Sequence, residues 1–440
     1  MSNLPENWKV KTILQLGGGS KETVQTGPFG AQLHAEDYVE EGIPLILIKN
    51  ISDSGLNESG IPKITEEDAQ RLNRYSVKAG DMVFSRVGRV GSCFLVTEKE
   101  YGWIISGQML RIRLPRASID FNYLYYALRD EKAQDAINGS SVGTTRTSIN
   151  TEILEKLSIN VPPLEQQQKI ANILSTVDKL IEKTQTLIDK YTAIKQGMMA
   201  DLFTRGIDLS PGPDGTHASN PNYGQLRPSF DAAPELYQQT DLGCVPKEWE
   251  VGKLGNYSSI CRGASPRPIT DPKYFGDTNV GWVRISDVTK SGFYLETTTQ
   301  YLSPLGESRS VRVFPGDLVM SICATVGKPV ILNMDACIHD GFVLFSDYEH
   351  IFDKKFLLYW LSENENTFIN MGQPGTQVNL NTNLVGSLKT ILPSKEEQSS
   401  IRERIDCLLQ ELEVHKKYLD KLKKQKKGLM QDLLTGKVKV

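Results

Sequence analysis

The sequence predicts an α+β protein built twice: two globular domains joined by two long helices that form an antiparallel coiled coil, with a pseudo-twofold internal repeat. Three observations carry this reading. Short segments recur in the same order, with an offset that drifts only from 241 to 231 residues. Each copy opens with short apolar runs punctuated by Gly, Pro, Asn and Asp. Each then closes on a long stretch with heptad spacing.

The repeat is explicit. Leu4-Pro5-Glu6-Asn7-Trp8-Lys9-Val10 returns as Val245-Pro246-Lys247-Glu248-Trp249-Glu250-Val251. Ala79-Gly80-Asp81-Met82-Val83-Phe84-Ser85 returns as Pro315-Gly316-Asp317-Leu318-Val319-Met320-Ser321, and Val90-Gly91 as Val326-Gly327. Tyr123–Leu128 matches Phe356–Leu361, Ile149-Asn150 matches Leu380-Asn381, and Met198–Thr204 matches Leu429–Thr435. Duplication alone establishes architecture and says nothing of function.

Within the first globular region, 1–162, the runs Ile43–Ile48, Asp81–Ser85, Phe94–Thr97 and Met109–Leu114 predict strands, and Phe121–Asn138 predicts one helix. In the second, 245–392, Gly281–Ile285, Leu318–Ile322, Val330–Leu332 and Val343–Phe345 predict strands, and Lys354–Asn370 a helix. Residues 207–244 between the copies are rich in Pro, Gly, Ser and Asn and predict an extended linker.

Long helices are expected over 163–206 and 393–440. Proline suits a helix start, and none follows Pro162-Pro163 until Pro211. Apolar residues then fall at Ile170, Leu174, Val177, Ile181, Ile188, Tyr191, Met198 and Leu202, interrupted at Thr184 and Lys195. The second seam runs Ile401, Ile405, Leu408, Leu412, Leu419, Leu422, Leu429 and Leu433, interrupted at the equivalent steps, His415 and Lys426. Each apolar stripe needs a partner, and the other copy supplies it. Thr184 and His415 fit either one polar layer or a solvated gap. Lys416–Lys427 carries seven lysines against one aspartate. It reads either as a solvated face or as a surface that meets DNA phosphate or an acidic partner.

Composition bounds the class. Of 440 residues, 39% are hydrophobic and 23% charged, which is ordinary for a globular protein of two or three domains. No apolar run approaches the ~20 residues of a membrane helix. The start, Met1-Ser2-Asn3-Leu4-Pro5, lacks the basic and apolar segments of a secretory leader. The six cysteines form no CxxC pair and the five histidines are isolated, so no metal site is expected and a reducing cytoplasm fits. A net charge of −3 leaves nucleic acid open, because binding depends on a local basic face.

Several stretches resemble the specificity subunit of type I restriction–modification systems. Gly27-Pro28-Phe29-Gly30-Ala31-Gln32-Leu33, followed by Tyr38–Pro44, is similar to one type of recognition-domain opening. Gly263-Ala264-Ser265-Pro266, followed by Gly281–Val288, is similar to another. Pro162-Pro163-Leu164-Glu165-Gln166-Gln167-Gln168-Lys169-Ile170 resembles the family's junction into its helix, and Leu392–Gln398 is a looser version. Lys195–Met199 and Lys426–Met430 resemble its helix ends. The resemblance implies two recognition domains, each reading one half of a split double-stranded DNA target. It implies helices that set the spacer and dock two methyltransferase subunits, with restriction subunits in the larger complex and no membrane. S-adenosylmethionine, ATP and Mg²⁺ are then expected in the partners and none in this chain.

Catalytic motifs are wanting. Val161-Pro162-Pro163-Leu164 lacks both the polar start and the aromatic end of a methyltransferase's amine-binding element. Gly327-Lys328 lacks the upstream glycine of a phosphate loop. Reading DNA needs Arg, Lys, Asn or Gln at base edges, and cationic or hydroxyl groups at phosphates. The candidates are Lys49, Asn50, Arg86, Arg89, Thr144, Thr145 and Arg146 in the first domain. In the second they are Arg262, Arg267, Arg284, Lys328, Gln373, Gln377, Asn379 and Asn381. The competing readings are a coiled-coil scaffold, or a DNA-binding adaptor outside restriction–modification.

Overall fold

The computed structural model describes residues 4–28, 33, 35–52, 55–87, 90–139, 148–276, 280–371 and 379–440. The chain divides into two compact units, Met1–Thr186 with Lys416–Val440, and Leu187–His415. Each unit therefore contains one globular domain and a segment of both long helices.

In the first unit a four-stranded antiparallel sheet runs Val24–Thr26, Met109–Ile112, Met82–Ser85, Cys93–Leu95. A smaller sheet joins Lys63–Ile64, Ile43–Ile46 and Ile104–Ile105. The recurring Gly-Asp turn has a physical reason. Gly80 adopts φ +94°, and Asp81 Oδ2 accepts from the Lys78 amide at 2.8 Å. Gly316 (φ +95°) and Asp317, which accepts from the Phe314 amide at 2.8 Å, repeat that turn before the matching strand.

The second unit holds a five-stranded sheet ordered Ser259–Arg262, Phe342–Ser346, Leu318–Ser321, Pro329–Leu332, Tyr294–Leu295, the last strand parallel to its neighbour. A three-stranded sheet joins Gly281–Val283, Ala336–Ile338 and Val311–Val313. Ile285, expected in a strand, begins the helix Ile285–Lys290 instead.

Each expected domain helix is broken at one residue. Phe121–Arg129 and Glu131–Gly139 flank Asp130, whose backbone is extended at φ −63°, ψ 146°. Lys354–Glu363 and Glu365–Met371 flank Asn364. A side-chain amide serves the local carbonyls at each break. Gln134 donates to Leu128 O at 2.7 Å, and Asn364 donates to Trp360 O at 2.9 Å.

The long helices span Leu164–Thr204 and Lys395–Leu433. In the first unit Ile170, Ala171 and Leu174 share a core with Leu429, Met430, Leu433 and Leu434, and Asp178 meets Lys426 at 2.6 Å. The start of one helix thus lies beside the end of the other. In the second unit Met199, Leu202 and Phe203 share a core with Ile401 and Ile405. The helices run antiparallel in both. Most seam residues are buried, while Val177, Ile181, Tyr191, Met198 and Leu429 are half-buried. Each interruption has a local partner. Thr184 donates to Leu180 O in its own helix at 2.7 Å, and His415 stacks on Tyr191 with centroids 5.3 Å apart. Lys195 lies over the Phe293 ring, and Lys426 over that of Tyr126.

A glutamine locks each domain to the helix that follows it. Gln167 Nε2 donates to Pro162 O at 2.7 Å while its Oε1 accepts from the Asp120 amide at 2.8 Å. Gln398 does the same with Pro393 O at 2.9 Å and the Asp353 amide at 2.8 Å, and also donates to Ile351 O. Asp120 and Asp353 are themselves N-caps of the domain helices. This is why the proline–glutamine junction recurs.

The segment 207–244 is an ordered element rather than a plain extended linker. Tyr237–Thr240 and Gly243–Pro246 pair as a hairpin. Arg227 is buried against Glu397, and the Ile207 amide donates to Glu397 Oε1 at 2.8 Å. Its polar composition hides this, because a buried ion pair and scattered apolar anchors, Ile207, Leu209, Leu226 and Leu242, fix it without a periodic apolar stripe.

Candidate nucleic-acid interface

In the second domain the strand Ser259–Arg262 and the loop His339–Gly341 bring two candidate arginines together. Asp340 organises them. Its backbone oxygen accepts from Arg262 Nε at 2.7 Å, and its carboxylate accepts from Ser265 Oγ at 2.6 Å and Arg267 Nη2 at 2.8 Å. The Ser265 hydroxyl and, behind it, Arg267 hold that carboxyl below the usual range. Both arginines remain exposed, although each is tethered to Asp340.

Beneath them His339 packs against Trp282 and Phe342, and its Nδ1 accepts from the Gly341 amide at 2.9 Å. Burial, with Arg284 adding repulsion, lowers its pKa to about 4. The ring is therefore neutral at pH 7, and its 3.8 Å approach to Asp340 is no ion pair there. Arg284 is exposed on the rim and donates to Gln300 Oε1 at 2.7 Å. Arg262, Arg267 and Arg284 form the best-defined cationic group among the candidates.

Other candidates are committed to structure. Lys328 directs its ammonium at the carbonyls of Thr289 (3.0 Å) and Ser291 (3.4 Å), just where the helix Ile285–Lys290 ends. Asn381 caps the helix Thr382–Gly386 by accepting from the Leu384 amide, and Asn379 is exposed on a bridge to Cys323. In the first domain Lys49 is exposed, but Asn50 is buried. Its Oδ1 accepts from the Leu47 amide and its Nδ2 donates to Asn57 O, so its side chain closes a turn. Arg86 is half-buried, and its backbone oxygen accepts from Ile149. Arg89, Thr144, Thr145, Arg146, Gln373 and Gln377 lie outside the described residues.

Sequence reasoning missed a basic cleft of about 850 Å³ in the first domain, lined by Lys21, Arg74, Lys78, Arg111 and Arg113 among others. Arg111 is buried and donates to Ser76 O (2.7 Å) and Gln25, while Arg113 pairs with Asp81 at 2.6 Å. Burial and the neighbouring Arg113 lower the pKa of Arg111 to about 10, so it stays charged. The signal was present: two arginines two residues apart in a strand share one face.

Among the described residues no group of three or more His, Cys, Asp or Glu is placed to hold a metal ion. No described helix is long and apolar enough to cross a membrane.

Comparison with known proteins agrees with this architecture. The chain is 26% identical to a provisionally named type I restriction enzyme specificity subunit, MjaX, of Methanocaldococcus jannaschii, over 100% of this chain and 96% of the relative. It is 24% identical to the type I restriction enzyme HindI specificity subunit of Haemophilus influenzae, over 73% and 78%. Two solved structures share the fold. One, from work on assembly and conformational transition of the type I system, gives a TM-score of 0.57 at 17% identity over 100% of both chains. The other, the type I system S subunit from M. genitalium, gives 0.56 at 15% over 99% and 97%. The family model for the type I restriction modification DNA specificity domain matches twice, at residues 5–191 and 246–424, and the chain belongs to that family.

Proposed function

We propose that this chain is the non-catalytic DNA-specificity subunit of a type I restriction–modification complex. Each domain reads one half of a bipartite, asymmetric double-stranded target. The helices set the spacer and dock two methyltransferase subunits, and restriction subunits complete the larger assembly. S-adenosylmethionine, ATP and Mg²⁺ belong to those partners. The observation that carries this reading is one frame used twice with different loops. Gln167 and Gln398 make the same junction, whereas the basic groups of the two domains differ in residue and position: a cleft lined by Lys21, Arg74, Lys78 and Arg113 in one, Arg262, Arg267 and Arg284 in the other. A bare scaffold needs no such divergence.

Replacing Ser2–Val161 with the equivalent domain of another such subunit tests it. Methylation mapping of DNA from cells carrying the chimaera should show one half of the modified sequence changed and the other kept. A change in both halves, or in neither, refutes the modular reading.

A further inference from the structure

The helix Lys395–Leu433 carries its charge unevenly. Residues 395–415 hold six acids against Lys395, Arg402 and Arg404. Residues 416–433 hold seven lysines against Asp420 and Asp432. The part of the other long helix in the same unit, residues 164–186, is balanced at three lysines and three acids. A solvated face needs no such excess. Like charges three and four residues apart also disfavour a helix, so the lysine run works against the element that bears it.

Some of these lysines serve the fold. Lys426 meets Asp178 at 2.6 Å, and Lys427 approaches Glu131 at 3.8 Å. Lys417, Lys421 and Lys424 form a stripe. They stand four and then three residues apart, are exposed, and lie on the side of the helix away from the seam residues Leu419 and Leu422. Seven residues of helix span about 10 Å, close to three steps of one DNA strand at about 3.4 Å each. Ammonium groups on flexible stems suit phosphate oxygens and carry no base code.

Building on the proposed DNA reading, we infer that the Lys417–Lys421–Lys424 stripe is a sequence-independent phosphate-binding surface for the duplex that flanks the first domain's half-site. Charge complementarity with the DNA backbone selects this occupant. The stripe holds the double helix while the recognition domain reads it.

The test compares the full chain with K417Q/K421Q/K424Q, by fluorescence anisotropy on a mapped-target duplex and on a scrambled duplex, between about 50 and 200 mM salt. The slope of log affinity against log salt should fall by about two to three, at ~0.9 per lost phosphate contact. The loss should be equal on both duplexes, and the lysine-to-arginine triple variant should keep the original slope. Circular dichroism controls for folding. Neutral methylphosphonates in the flanking duplex should weaken the original chain and leave the glutamine variant unaffected. An unchanged slope, or a loss confined to the target duplex, overturns the inference. So does lost binding of a methyltransferase subunit with the DNA slope intact, which would assign the stripe to an acidic protein surface. If the original chain binds no duplex, the DNA reading falls with it; if it binds and the variant matches it, only this inference falls.

Discussion

The two domain–helix junctions are built on one plan with different chemistry. At the first, Trp8 donates to the neutral Gln166 at 3.0 Å. At the second, Trp249 donates to Glu397 at 2.9 Å, and the same carboxylate holds Arg227 and the Ile207 amide. Glu397 and Arg227 are almost fully buried, whereas Gln166 is half-buried. The charged version stands where the segment 207–244 crosses the junction. A neutral amide can close a two-way contact. Joining helix, strand and connecting segment takes a group that accepts several hydrogen bonds at once, and a buried carboxylate does so only with a cation beside it.

Breaking that pair should give the largest effect. Glu397→Gln copies the first junction but leaves Arg227 buried, with the exposed Glu248 as its remaining acidic partner at 2.7 Å. A loss of about 3 kcal/mol is expected, the low end for breaking a buried pair, because Glu248 still reaches it. Adding Arg227→Met should restore most of that, since an apolar replacement of a whole pair is often neutral. Urea unfolding of the single and double variants measures the coupling. If both are equally unstable, the charge at the second junction has no role beyond shape.

The shared part of the plan should respond equally in both copies. Gln167→Ala and Gln398→Ala each strand an aspartate amide and a proline carbonyl, for about 2 kcal/mol apiece. Gln398 should cost slightly more, because it also serves Ile351 O. Losses differing by more than about a factor of two, beyond the usual context-dependence of such hydrogen bonds, would show that the likeness is geometric and not energetic.

What the sequence made legible follows the same division. The heptad seams, both helix starts and the paired strands were readable, because each rests on local periodicity or a turn residue. Strand Lys9–Thr12 pairing with Ser158–Val161 was not, since its alternation is weak and its partner lies far along the chain. The breaks at Asp130 and Asn364 were missed because both runs keep a helical apolar pattern across the kink. Arg227 was missed because a lone arginine in a polar segment carries no period. At the candidate interface, Arg262, Arg267 and Arg284 are candidates by residue type alone, and Asp340, which organises two of them, left no local mark. Asn50 and Asn381 show the converse: residue types that suit base reading also suit turns and caps.

The smallest expected effect separates those two uses. Asn150 and Asn381 hold equivalent places, each capping a short helix by accepting from an amide three residues on, Ile153 at 2.9 Å and Leu384 at 2.8 Å. Alanine at either should cost about 1 kcal/mol, and aspartate should keep the cap. Aspartate, however, loses the amide donor that a base contact would use. Asn381→Asp should therefore melt with the original chain and leave the methylated sequence unchanged. If stability holds while the second half-site relaxes, Asn381 reads DNA as well as capping. In that event the repeat at Ile149-Asn150 and Leu380-Asn381 would mark matching readers in the two domains, and the residues that precede them in sequence would be the first place to look for base contacts.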